Sequence, residues 1–389
     1  MFAFILGREF RLSLAEVENL FPEAIFEYVN EQFALVSEIE ENKIRENFSY
    51  MGGTIKIIKI LEEVKDVPDF MTVAKSYMEQ VDRTNKVPFA IAGYGEKFDN
   101  FATGLRIKKF LKPCEDKSFR LVNKEPKNIN SAVYKKERLS ESETELNFIK
   151  AGKFCYFGTT IAYQDVDEYA ARDMDKTRDM GVGMLPPKLA QMMINLSRGD
   201  DLLKTSGVYD PLCGLGTILI EAANMGYGNI YGSDISPAMV EATKKSIENF
   251  KVKQNLEIGS EVFEADASKV AATIPDAMNT KTTAIVTEGY LGDVLNARTI
   301  TPDKIQEQCR KLARIYDGFF RDLRTIGFRG AIVISFPFWD NKGKDVFFED
   351  IIAIIERYGF ERKNLLDDKA PFRPTPHGSL LYRRPGQTV

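Results

Sequence analysis

One histidine, His377, is all the imidazole that the 389 residues contain. That excludes multi-histidine metal centres, and a lone histidine does not by itself suggest a Ser-His-Asp triad. The four cysteines (Cys114, Cys155, Cys213 and Cys309) lie far apart, with no CxxC pair. Disulfides and structural zinc are therefore not expected, and a reducing cytoplasm fits. No apolar run approaches the roughly 18 residues of a membrane span. The stretch MFAFILGREF has no basic leader, so it reads as a first strand rather than a signal peptide. Internal repeats and low-complexity segments are also lacking. With 44% hydrophobic and 28% charged residues, the composition is that of a soluble globular protein of two or three domains.

The net charge of −4 hides an asymmetry. Eleven basic residues fall between positions 106 and 138: Arg106, Lys108, Lys109, Lys112, Lys117, Arg120, Lys124, Lys127, Lys135, Lys136 and Arg138. Four acids oppose them (Glu115, Asp116, Glu125 and Glu137), leaving +7. A solvated face and an electrostatic footprint for a polyanion are both open readings. Phe101, Phe110, Phe119 and Tyr134 lie among these charges, suited to stacking on unpaired bases or to a core.

Apolar patterning predicts strands at 2–6, 33–36 and 54–60, with helices near 40–50 and 71–81. Ser13-Leu14-Ala15-Glu16 has the form of a capping box, with the helix running to about Phe21. Further strands are expected at 89–93, 119–122, 145–149 and 153–163, with a basic helix at 105–111 and another near 130–138. Between Asp165 and Asp179, five aspartates alternate with Arg172, Lys176 and Arg178, so this segment reads as a connector or a site loop. After a helix at 188–196, strand and helix patterns alternate. Strands are expected at 207–210, 230–233, 261–264, 283–287 and 330–336, and helices at 216–225, 237–250, 302–325 and 346–358. That alternation is the pattern of a doubly wound α/β sheet.

The first of those strands ends in Asp210-Pro211-Leu212-Cys213-Gly214-Leu215-Gly216-Thr217. Two glycines permit a tight turn, and the helix that follows offers free N–H groups. Asp234 closes the next strand, where an acid can hold two ribose hydroxyls. Asp266 follows the third and can reach an adenine amine. A dinucleotide turn would be GxGxxG, and this one lacks the third glycine. An acid opening the turn repels phosphate and attracts an ammonium. S-adenosylmethionine fits, having an ammonium, a sulfonium, a ribose and an adenine but no phosphate. Pro211, Cys213, Thr217, Ile235 and Ala267 complete the expected cofactor contacts.

DPLCGLGT resembles the DPFCGSGT-type motif of class I S-adenosylmethionine-dependent methyltransferases that act on nucleic-acid amino groups. The run Gly183-Met184-Leu185-Pro186-Pro187-Lys188-Leu189-Ala190, then Asn195-Leu196, with Tyr169 and Arg172-Asp173 upstream, resembles the THUMP-containing tRNA guanine-N2 methyltransferases of archaea and eukaryotes. In the N-terminal half, Ile5-Leu6-Gly7-Arg8, Leu14-Ala15-Glu16, Gly104-Leu105-Arg106 and Asn130-Ser131-Ala132 resemble that family's tRNA-binding portion. The resemblance implies an α+β unit at 1–60, a THUMP-like RNA-binding domain at 61–163, a connector at 164–190 and a methyltransferase domain at 191–389. It implies a seven-stranded sheet whose last, antiparallel strand is Ser379 to Arg383. It also implies that Asp210, Gly214 and Gly216 hold the methionine end, Asp234 the ribose and Asp266 the adenine. RNA contacts are expected from Arg106, Lys108, Lys109, Lys112, Arg120, Lys124, Lys135, Lys136 and Arg138. A metal and a membrane are not expected.

The fourth strand of that family ends in Asp-Pro-Pro-Tyr or Asn-Pro-Pro-Tyr; here Thr287-Glu288-Gly289-Tyr290 stands in its place. An exocyclic amine is a poor nucleophile, because its lone pair is delocalised into the base. An oxygen acceptor that binds its N–H groups favours an sp3-like nitrogen. By position that acceptor is Thr287; by chemistry it is Glu288. Tyr290 keeps the ring that stacks on the base. With both prolines gone, Gly289 is expected to loosen the loop. Guanine N2 of tRNA is the expected target. A methyltransferase-fold RNA-binding protein with weak or lost catalysis, and a DNA amino-methyltransferase, are the alternatives.

Overall fold

The computed structural model describes residues 1–82, 85–111, 117–174, 185–198, 207–276, 278–293, 295, 300–341, 343–363 and 366. Two compact units divide the chain at Ala170/Ala171. That division falls inside the helix Val166–Met174. The acidic segment read as a connector thus begins as a helix. Asp165 Oδ1 accepts the Asp167 N–H at 3.0 Å, and Asp167 and Glu168 suit the positive end of the first turn.

The N-terminal unit has strands β1 (Phe2–Leu6), β2 (Ile25–Val29), β3 (Phe33–Ser37), β4 (Thr54–Val64), β5 (Asn85–Tyr94), β6 (Lys117–Leu121), β7 (Glu145–Ala151) and β8 (Phe154–Tyr163). They form one sheet in the order β2-β3-β1-β4-β8-β7-β5-β6. The 60/61 boundary expected from the sequence lies within β4, which pairs with β1 on one side and with β8 on the other. Helices Val67–Gln80 and Asn100–Phe110 open on Asp66 and Asp99, whose carboxylates accept the N–H groups of Asp69 and Ala102. Phe70, Met78, Phe89, Ile107, Phe148 and Phe157 form the core beneath them.

Ser13 is not an N-cap. The first helix is Phe10–Leu20, and the Ser13 hydroxyl donates back to the Glu9 carbonyl. Glu16, fully buried, accepts the N–H groups of Gly52 and Gly53 at 2.9 and 2.8 Å instead of closing a capping box. A second buried charge, Lys56, meets Glu145 at 2.9 Å between the faces of Tyr94 and Tyr163. Hydrogen bonding and aromatic faces together offset the desolvation of that pair.

The C-terminal unit has β9 (Gly207–Asp210), β10 (Asn229–Asp234), β11 (Gly259–Glu264), β12 (Thr283–Thr287) and β13 (Ile332–Ile334), all parallel, in the order β11-β10-β9-β12-β13. The central strands β9 and β12, buried throughout, suit a parallel sheet covered by helices. The order reverses between β9 and β12, and the crevice beyond their carboxyl ends is where such sheets bind ligands. This is the class I methyltransferase fold; its expected last strand, 379–383, lies outside the described residues. β14 (Phe338–Asn341) and β15 (Lys344–Phe347) form a separate antiparallel hairpin where the sequence pattern predicted a helix from 346. The helix starts at Asp350 because the preceding residues pair as strand, Phe338 opposite Phe347. Among the described residues, no helix is long and apolar enough to cross a membrane.

Candidate functional site

The turn after β9 is built around its two glycines. Gly214 and Gly216 have φ of +50° and +78°. A Cβ on Gly216 would lie 2.8 Å from Thr243 Cγ2, so helix Pro237–Gln254 packs where only hydrogen fits. The Thr243 hydroxyl donates to the Gly214 carbonyl at 2.6 Å. Asp234, ending β10, accepts the N–H groups of Gly214 and Ser236 at 3.0 and 2.9 Å. It fixes the turn and keeps unused lone pairs for a hydroxylated ligand. Beside it Ile235 is 66% exposed, an apolar surface out in solvent. Asp266 caps the short helix Ala267–Ala272, accepting the Ser268 N–H and hydroxyl at 2.9 and 2.8 Å. Pro211, Cys213, Thr217 and Ala267 are buried supports. Burial pushes the Cys213 thiol well up, so it is no nucleophile.

Asp210 carries the main electrostatic signal. It is only 3% exposed, and burial raises its carboxyl from the ordinary 3.8 to about 7. The Thr287 hydroxyl and the Leu212 N–H pull the other way by bonding the carboxylate, while the negative charges of Asp234 and Glu288 raise it further. Three carboxylates from the ends of β9, β10 and β12 thus share one field. Such a set favours a cation and repels phosphate.

Thr287 and Glu288, which sequence reasoning left as alternatives, are placed differently. Thr287 is fully buried, and its hydroxyl is engaged with Asp210 and with the Gly289 N–H at 3.2 Å. Glu288 is partly exposed, and its charge acts on Asp210. Tyr290 is 37% exposed, and its hydroxyl donates to Asp293 Oδ1 at 3.0 Å. The expectation that Gly289 loosens this turn is overturned. Its φ is +78°, and an added Cβ would meet the Ser335 carbonyl at 2.6 Å and the Tyr316 hydroxyl at 2.7 Å. The glycine is there because the turn is tightly backed.

Asp293, Gln308, Lys311 and Tyr316 were not singled out from the sequence. Asp293 accepts from Tyr290, Gln308 and Lys311, and these bonds hold its carboxyl down at about 2. A signal existed: Gln308 is a polar residue on the otherwise apolar buried stripe Ile305, Leu312, Tyr316, Phe319 and Leu323.

In the N-terminal unit, Arg106, Lys108 and Lys109 are exposed on helix Asn100–Phe110, and Lys124 and Lys136 are exposed nearby. None of these five forms an ion pair with a described residue, whereas Arg120 pairs with Glu137, Lys135 with Asp165, and Arg138 with Glu141 at 3.7 Å. Lys112 lies outside the described residues. Of the interleaved aromatics, Phe119 and Tyr134 are core, while Phe110 is 52% exposed, one helical turn beyond Arg106.

Residues 175–288 match the family described as "RMKL-like, methyltransferase domain". A curated tRNA (guanine(10)-N2)-dimethyltransferase from Pyrococcus abyssi is 30% identical over 200 residues, covering 51% of this chain and 52% of that protein. The protein of the same name from Methanothermobacter thermautotrophicus is 37% identical over 113 residues, 28% of each chain. The chain thus spans about half the length of the first relative and less of the second. Among solved structures, TrmN from Thermus thermophilus is similar at 14% identity, covering 86% of this chain and 85% of that one, with a TM-score of 0.46. Residues 175–288 are thus similar to an RMKL-like methyltransferase domain, and the curated relatives named here are tRNA guanine-N2 dimethyltransferases matched over about half their length or less.

Proposed function

We propose that the protein uses S-adenosylmethionine to methylate N2 of a guanine in tRNA. One observation carries the reading: Asp210, Asp234 and Glu288 converge at the switch point, a carboxylate set suited to a cationic, hydroxylated ligand and a nearby amine. The turn has room for that ligand, since nothing lies within 4 Å of a Cβ added at Gly214. S-adenosylmethionine supplies an electrophilic methyl group on a sulfonium. Asp210 holds its ammonium, Asp234 its ribose hydroxyls and Asp266 its adenine amine. Ile235 packs on the adenine face.

The chain's own groups then act on the guanine. Tyr290 stacks on the extruded base. Glu288 accepts an N–H of the amine, which directs the nitrogen lone pair at the methyl group. As the methyl group passed from the sulfonium, which would leave as a neutral thioether, positive charge would build on that nitrogen, and the adjacent carboxylate would stabilise it and take the departing proton. Thr287 positions Asp210 and the turn, and Glu288 supplies the charged acceptor.

The N-terminal unit serves as a THUMP-like RNA-binding domain. The five basic residues that form no ion pair with a described residue neutralise phosphates, and paired Arg120, Lys135 and Arg138 contribute less. The cysteine pattern and the tRNA-modifying relatives support a cytoplasmic setting. Calorimetric titration with S-adenosylmethionine, then label transfer to an unmodified tRNA transcript, tests the reading. Measurable cofactor binding without any transfer would leave a catalytically silent RNA-binding protein.

A further inference from the structure

The Thr287–Tyr290 turn contains no proline, yet it is held at the Thr287 carbonyl, the Gly289 N–H and both oxygens of Tyr290. Its backing is mostly one element, the 24-residue helix Pro302–Thr325. The Tyr316 hydroxyl, from the buried face of that helix, donates to the Tyr290 carbonyl at 3.0 Å. Tyr316 is 1% exposed and is wedged edge-on against Phe336, 5.1 Å between ring centres. Two turns earlier, Gln308 Oε1 accepts the Asp293 N–H at 2.9 Å, and its Nε2 donates to Asp293 Oδ2 at 3.0 Å. Lys311 donates to the same oxygen at 2.8 Å. The other oxygen of Asp293 receives the Tyr290 hydroxyl. Tyr290 is thus gripped at its carbonyl and at its phenol, from one rigid helix. On its other flank, the Ser335 N–H donates to the Thr287 carbonyl at 3.3 Å.

We propose that the Pro302–Thr325 helix orders the acceptor turn from behind, with Tyr316 and Gln308 as positioning residues and Asp293 as the relay to the Tyr290 phenol. The ring is presented at a fixed tilt, and Glu288 is held at a fixed height above the crevice. Amino-group methylation depends on such preorganisation, because an acceptor displaced by about 1 Å can cost on the order of 10²-fold in rate. Two groups on one helix, eight residues apart, do the work that ring closure would do in a proline-containing turn. The role in catalysis rests on the proposed methyl transfer; the ordering of the turn does not.

Two conservative variants test the inference, Tyr316→Phe and Gln308→Leu, each keeping the buried shape. Amide hydrogen exchange of a peptide spanning 286–293 reads turn order directly. Tyr316→Phe, which loses one hydrogen bond, should speed exchange there about five- to tenfold, and Gln308→Leu, which loses two, at least as much, with peptides from β9 and β10 unchanged. Single-turnover methylation of tRNA should slow by at least tenfold, with KM for tRNA and affinity for S-adenosylmethionine within about twofold of the parent. Unchanged exchange in both variants overturns the inference. Faster exchange with an unchanged rate makes the helix a support without a positioning role. If the parent methylates no tRNA while both variants still exchange faster, the helix orders the turn and the methyl-transfer reading is what fails.

Discussion

Replacing Asp210 by Asn should stabilise the unligated protein while removing its ability to hold the cofactor. The carboxyl titrates at about 7 in the fold, chiefly because it is buried. Unfolded, it titrates near the ordinary 3.8. Between those values the folded state binds the extra proton, so stability falls as pH rises from about 4 to 7 and is level above. At about 1.36 kcal/mol per pH unit, the ionised carboxylate costs the fold about 4 kcal/mol at pH 8. Asn keeps an acceptor for the Leu212 N–H, now at 3.2 Å, and carries no charge to desolvate. For a unit of about 200 residues, that gain corresponds to a rise in Tm of roughly 8–16 °C at pH 8. The difference between parent and variant should shrink steadily towards pH 5. Thermal melting across pH 5–8 measures it, and calorimetry on the same samples should find cofactor affinity abolished. A variant no more stable than the parent at pH 8 would refute the reasoning. So would a stabilised variant that still binds the cofactor normally, since Asp210 would then face no ammonium.

Affinity of the parent for S-adenosylmethionine should itself rise between pH 6 and 8, as the Asp210 carboxylate forms; flat affinity across that range would contradict its role. Glu288→Gln should leave cofactor affinity intact and lower the single-turnover rate by a transition-state loss of about 2.7–4 kcal/mol, since Gln accepts an N–H but cannot stabilise the cation. Tyr290→Phe keeps the stacking face yet releases Asp293, so a rate loss is expected without a loss of RNA affinity; Tyr290→Ala should lose about 1–3 kcal/mol of base docking as well. Replacing Arg106, Lys108 and Lys109 together by Gln should flatten the log–log salt dependence of tRNA binding by about two to three, nearly one for each phosphate no longer neutralised.

The C-terminal sheet was legible because its central strands are short apolar runs ending in turn signals. β9 ends in Asp210 and its glycine turn, β10 in Asp234, and β12 in Thr287. The positions of the residues expected at the cofactor could be read for the same reason, since Asp210 and Asp234 stand at strand ends. The target side was only half legible. Thr287 and Glu288 are neighbours, and only the fold shows that one is buried with its hydroxyl on Asp210 while the other is partly exposed. Gly289 was misread because composition equates glycine with looseness, whereas here it marks a close approach by Tyr316 and Ser335. The bracing residues lie 15 or more positions along the chain, and such long-range pairing leaves no local periodicity. Ser13 misled for a local reason: its spacing to Glu16 imitates a cap, while Glu16 serves the distant Gly52 and Gly53.

The central claim is tested most directly by the identity of the methylated atom. The protein would be incubated with isotopically labelled S-adenosylmethionine and unmodified total tRNA, and the digested nucleosides separated by mass spectrometry. Label in N2-methylguanosine or N2,N2-dimethylguanosine, absent in Glu288→Gln, is the predicted result. Label confined to another nucleoside, or none in tRNA despite measurable cofactor binding, would contradict the account.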